Sequence, residues 1–182
     1  MNTDEVIAAT RSWLEKAVIG LNLCPFAKAV YLKNQVRLIV SSAKHTDGFL
    51  EELDRELGFL AAADPEMLDT TLLIHPTLLS DFLDFNDFLE LAESAVIEQG
   101  LEGTIQIASF HPHFQFEGTA PEDMGNYTNR APFPILHLLR EASIERVTTD
   151  ASVAETIVQR NIKTLETLGQ DGWNALWKSS VS

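Results

Sequence analysis

TIQIASFHPHFQFEG, residues 104–118, decides how this chain folds. Its first half, 104–110, has the alternation of a β-strand, and it follows a helical pattern over 81–100, so it makes the chain one in which strands and helices take turns. If the extended form continues past Phe110, side chains fall alternately on two sides. His111, His113, Gln115 and Glu117 would then line one side, and Phe110, Pro112, Phe114 and Phe116 the other.

Working outward, QVRLIVSS (35–42) and DTTLLIHP (69–76) are two further strand candidates. Between them, 48–63 places Leu50, Leu53, Leu57 and Leu60 at helical spacing. The 81–100 helix turns Phe85, Phe88, Leu89, Ala92 and Val96 inward and Asp84, Asp87, Glu90 and Glu93 outward, the acidic stripe being its solvated face. Residues 3–19 read as a first helix stopped by Gly20, and Pro25 suits the start of a second. Residues 119–129 are loop-like, and helices are expected at 134–143 and 152–168, followed by DGWNALWK. The pattern implies one globular domain over 1–182 of the α/β or α+β class, with three or more strands alternating with helices. A ferredoxin-like mixed sheet is the alternative.

The chain has 182 residues, a formal net charge of -14 and one cysteine. That length buries an ordinary core. The charge opposes attraction to nucleic acid or to an anionic membrane surface. A solitary thiol forms no internal disulfide, the first residues lack a signal-peptide pattern, and no apolar run reaches the roughly 20 residues of a membrane helix, so a cytoplasmic location is expected.

His75-Pro76 and His111-Pro112 each terminate a strand candidate, and His45 follows the first strand closely. In a parallel sheet these exits share the C-terminal edge, where open α/β folds bind ligands. A His-x-His pair on a strand, with Glu117 in the same row, has the chemistry of a metal site. It resembles the first half of the cupin motif, but the helices contradict an all-β barrel. A third strong ligand is not assured by the spacing, and no metal is expected; no cofactor is indicated. The bland reading is that these histidines cap the strand ends.

In NYTNRAPFPILHLLREAS (126–143), helical spacing sets His137, Arg140 and Glu141 opposite Ile135, Leu138, Leu139 and Ala142. Glu141 could orient His137, Arg140 could pair with it or bind an anion, and Asn129 with Arg130 could meet a carboxylate or phosphate before the helix. Cys24 beside the helix near Pro25, with Lys28 one turn on, reads as an activated thiol or as a packed one.

The stretches GLNLCPFA, SFHPHFQFEG and NYTNRAPFPILHLLRE together resemble a family of small bacterial proteins, domain of unknown function 1415, over nearly the whole chain. The resemblance implies a bacterial, cytoplasmic protein of this length and carries over no activity, cofactor or catalytic residue. From the residues themselves, the expectation is a small-molecule enzyme, a hydrolase or group transferase, acting on an anionic metabolite at a histidine-rich pocket. His111, His113, His137 and Cys24 would do the chemistry, and Asn129, Arg130, Arg140, Gln115, Glu117 and His75 would bind the ligand. The alternative is a non-catalytic acidic protein whose helix faces meet a basic partner.

Overall fold

A leucine ladder and a phenylalanine ladder build one side of the molecule. The computed structural model describes residues 1–146 and 151–178, the side chains of 151–154 excepted. Phe49, Leu53, Leu57 and Leu60 are the buried stripe of α3 (Thr46–Ala62), and Phe85, Phe88, Ala92 and Val96 that of α4 (Phe82–Glu98). Asp81 caps α4, its carboxylate accepting from the Leu83 and Asp84 amides at 2.8 and 3.3 Å, and Asp84, Asp87, Glu90 and Glu93 are exposed. Both helices pack on one face of a four-stranded sheet.

The strands are β1 (Val36–Val40), β2 (Thr70–Ile74), β3 (Ile105–Phe110) and β4 (Ile135–Arg140), in the order β1-β2-β4-β3. β1 and β2 are parallel, and β4 is antiparallel to β2 and β3. The first three strands therefore run the same way, and the last fills the slot between the second and third. This is an α/β domain with a mixed sheet, and the adjacent parallel β1–β2 pair separates it from a ferredoxin-like arrangement.

The expected helix over 134–143 is a strand. Ile135, Leu136, Leu138 and Leu139 satisfy helical spacing, but they also suit a strand covered on both faces, where apolar residues need not alternate with polar ones. Two pairing partners decide the matter: β4 bonds to β2 and β3 along its whole length. Side chains then alternate, so Ile135 joins one core and Leu136 and Leu138 the other. His137 and Arg140 consequently point to opposite faces, and Glu141 opens the short helix α5 (Glu141–Glu145).

The second face carries α1 (Thr3–Trp13), α2 (Ala27–Leu32), a 3-10 turn at Met124–Asn129 and α6 (Ala151–Leu176). An Asn2/Glu5 capping box starts α1. The expected continuation of that helix to residue 19 widens into π-helix over Leu14–Ile19. The chain leaves it at Gly20, where a Cβ would sit 2.3 Å from Lys16 O. Pro25 lies two residues before α2 rather than on its first turn. The helix expected at 152–168 lies within α6, which bends at Gly169 (φ 64°, ψ 175°) before the tryptophan segment. Asn161 and Arg160 donate to Leu23 O and Asn22 O, both at 2.7 Å, and so fix the loop that carries Cys24.

Candidate functional site: a cavity above the sheet with His137 on its floor

The row expected from FHPHFQFEG does not form. β3 ends at Phe110, and a turn closed by Phe114 N–H to His111 O at 3.1 Å breaks the alternation. His111 is buried, whereas His113, Phe116 and Glu117 are exposed. Gln115 donates to Thr119 O at 2.6 Å.

His75 and His111 hold equivalent places at the ends of β2 and β3. His75 Nδ1 accepts from Leu78 N at 2.7 Å and Thr77 N at 3.2 Å, so Nε2 carries the proton and donates to Ala43 O at 3.0 Å. His111 Nδ1 accepts from His113 N at 3.0 Å, and its Nε2 donates to Leu79 O at 3.0 Å. Each ring thus ties its own exit loop to the loop after the preceding strand. Burial holds both below the usual histidine range. With both nitrogens engaged by backbone, neither ring is free to ligate a metal or move a proton. The four histidines of this edge do gather there, because β1, β2 and β3 are parallel, but His45 and His113 are exposed and the other two are fasteners. Among the described residues no group of three or more His, Cys, Asp or Glu is placed to hold a metal ion.

The arginines are engaged as well. Arg140 is buried and donates to Leu60 O, Ala63 O and Leu68 O at 2.6, 2.8 and 3.2 Å, closing the C-terminal end of α3. Arg130 donates to Pro121 O at 2.6 Å and Phe114 O at 3.3 Å and lies over the Tyr127 ring. Asn129 donates to Ser109 O at 3.0 Å. The 110–118 and 126–130 segments therefore pack together as a structural knot. His137 is not part of it. Its ring looks to the α1 side of the sheet, while His111 lies between Phe82 and Phe85 of α4.

On the α1 side there is a cavity of about 440 Å³, within the size range of small-molecule sites. Thr70, Leu72, Ala108, His137 and Leu139 make its floor on the sheet; Leu14, Val18 and Ile19 of the widened helix, with Val30 of α2, make its wall. Cys24 and Phe110 line it too. The π-helix brings three apolar side chains to this wall, and such widenings recur at functional sites. Its polar end lies where β1 and β2 begin and β4 finishes, opposite the expected edge, and carries Gln35, Asp69, Ser143 and Arg146.

Thr70 and His137 are diagonal neighbours on β2 and β4, since Thr70 pairs with Leu139 and Leu72 with His137. His137 Nε2 lies 2.6 Å from Thr70 Oγ1, and that hydroxyl spends its one proton on Leu138 O, also at 2.6 Å. Nε2 must therefore donate, which leaves Nδ1 as a bare acceptor. Only Glu52 Oε2 and Thr71 Oγ1 are sealed side-chain atoms without a partner among the described residues, so Nδ1 is open. The ring keeps some accessible surface, but that surface faces an apolar cavity. Desolvation there pushes its pKa down to about 4, and the imidazole is neutral at physiological pH.

The Cys24 thiol is pushed up by burial, and hydrogen bonds from the Phe26 and Ala27 amides only partly offset it. The activating effect expected of a helix start is the weaker one here. Lys28 is exposed, and α2 begins only at Ala27.

Reading the sequence singled out His137 and Cys24 but missed Thr70, Asp69 and Gln35. A Thr-Thr pair at the head of the buried β2 was the available sign, because a hydroxyl in such a strand needs a partner.

The profile of the family described as Protein of unknown function (DUF1415) matches residues 5–175. The chain belongs to that family. No match was found among curated proteins or among solved structures.

Proposed function

We propose that this protein binds a small, largely apolar molecule in the cavity, with His137 Nδ1 as the fixed point that orients it. One observation carries the reading: an imidazole held neutral, in one tautomer and with one open nitrogen, stands on the floor of a cavity whose body is lined by aliphatic and aromatic groups and whose charged residues gather at one end. A neutral imidazole so placed is competent to take a proton from a bound substrate, so an acid–base hydrolase or transferase is the enzymatic form of this proposal, with Cys24 in the same cavity. The anionic ligand expected from Arg130 and Arg140 has less support, since backbone carbonyls occupy both guanidiniums. A cytoplasmic setting belongs to the same reading and rests on the lone cysteine.

The test is titration with N-phenylnaphthylamine, an uncharged fluorescent molecule with a single N–H donor. Saturable binding near one molecule per chain is expected, weakened at least about tenfold when Ala108→Trp or Val30→Trp fills the cavity. Binding that does not saturate, or that is indifferent to both folded variants, would overturn the reading.

A further inference from the structure

Three acceptor atoms at the cavity lack a protein partner. His137 Nδ1 is an acceptor. Gln35 gives one amide N–H to Glu66 O at 2.6 Å, which leaves Oε1 and the second N–H. Asp69 accepts from Ser143 Oγ at 2.5 Å through Oδ1, which leaves Oδ2. Gln35 and Asp69 are buried, yet neither free oxygen is a sealed orphan, so both are open. The two residues are backbone neighbours, since Asp69 N–H donates to Gln35 O at 2.9 Å. The hydroxyl donors of the site are spent: the Thr70 hydroxyl on Leu138 O, the Tyr31 hydroxyl on Glu15 Oε1 at 2.6 Å, the Ser143 hydroxyl on Asp69.

The charged groups of this end are Asp69, Glu66, Lys33 and Arg146. Lys33, Glu66 and Arg146 are exposed and solvated. Arg146 donates to Ala142 O and Ser143 Oγ at 3.2 and 2.8 Å, and its guanidinium stands 3.7 Å from Asp69 Oδ1. Asp69 is the one charge of the four that is buried. An open carboxylate oxygen on one buried residue, with an open amide oxygen on the residue hydrogen-bonded to it through the backbone, favours a partner that brings both N–H donors and positive charge.

Resting on the reading of the cavity as a small-molecule site, we infer that its ligand is a hydrogen-bond-donating cation on an apolar body, an amidine, guanidine or amine. The cationic head lies at Asp69 and Gln35, and the body lies over Leu72, Ala108 and His137. A carboxylate or phosphate head in that place meets the buried Asp69 carboxylate and the Gln35 oxygen and is disfavoured.

The experiment compares three molecules of one shape by calorimetric titration: para-butylbenzamidine, its neutral amide and its carboxylate. The amidine is expected to bind at least about tenfold more tightly than the carboxylate, the scale of one charged hydrogen bond. That preference should shrink to near unity in Asp69→Asn. Equal binding of all three, or tighter binding of the carboxylate, with every affinity lost in Ala108→Trp and Val30→Trp, would overturn the ligand class and leave the cavity reading standing. Failure of all three and of N-phenylnaphthylamine to bind the native protein would remove both. A preference for the amidine that persists in Asp69→Asn would also overturn the assignment.

Discussion

His137 and Thr70, on neighbouring antiparallel strands, share a 2.6 Å hydrogen bond whose direction is set by a third group, because the Thr70 proton belongs to Leu138 O. A histidine that could have used either nitrogen is thereby left with one, facing the cavity. Thr70→Val keeps the shape and removes the acceptor, leaving a buried Nε2–H unpaired. A loss of about 1–3 kcal/mol is expected, measured by denaturant unfolding, together with a drop in N-phenylnaphthylamine affinity. Unchanged stability and affinity would show that the pair sets nothing.

His111 should behave as a fastener. It holds the carbonyl of Leu79, a bulky residue kept at φ 56° in the left-handed region, a conformation that persists only where its surroundings enforce it. His111→Ala and His75→Ala each remove a buried ring with bonds at both nitrogens, and a loss of about 2–4 kcal/mol is expected for each. Probe affinity of the folded fraction should be unchanged. Native stability with abolished binding would instead make these rings part of the site.

Acidification should weaken the fold before carboxylates titrate. Burial lowers the pKa of His75, His111 and His137, the last from 6.5 to about 4. Between those values the unfolded chain binds protons that the folded chain refuses, so stability is intact above 6.5 and falls as pH drops toward 4. His137 contributes up to about 3 kcal/mol of this, at roughly 1.4 kcal/mol per unit. Unfolding free energies across that window check it, and His137→Gln should flatten the slope. A slope unaltered by that substitution would contradict the burial of the ring.

Cys24 should be slow. With its thiol pushed up by burial, native protein is expected to alkylate more slowly than the unfolded chain at every pH, and more slowly still with N-phenylnaphthylamine bound, because the sulfur lines the cavity. Faster reaction than in the unfolded chain would restore the activated thiol.

The helices α3 and α4 were legible because their burial is periodic, and the strands before and between them as short apolar runs: Leu53, Leu57 and Leu60 mark one face of α3, and Phe85, Phe88 and Ala92 one face of α4. β4 was not legible. Ile135, Leu136, Leu138 and Leu139 meet apolar groups on both faces of the sheet, so the local pattern does not distinguish strand from helix, and pairing across 67 residues to Thr70 decides it. The candidate site failed to show for the same reason. His137 was placed with Arg140 and Glu141 by helical geometry, and a strand turns it toward Thr70 instead. His111 was legible as special but not as a fastener, because Leu79 O is a long-range partner. Arg130 and Arg140 read as anion binders until the loop and helix-end carbonyls they serve came into view.

The most direct measurement is the imidazole nitrogen NMR spectrum of the histidines at neutral pH, recorded while N-phenylnaphthylamine is added. The expected result is that His137 starts as the neutral Nε2–H tautomer. Its Nδ1 resonance then moves in proportion to occupancy as it accepts the ligand's N–H, while His75 and His111 stay in place. A protonated His137, or a ligand that saturates the protein without moving its Nδ1 resonance, would contradict the account.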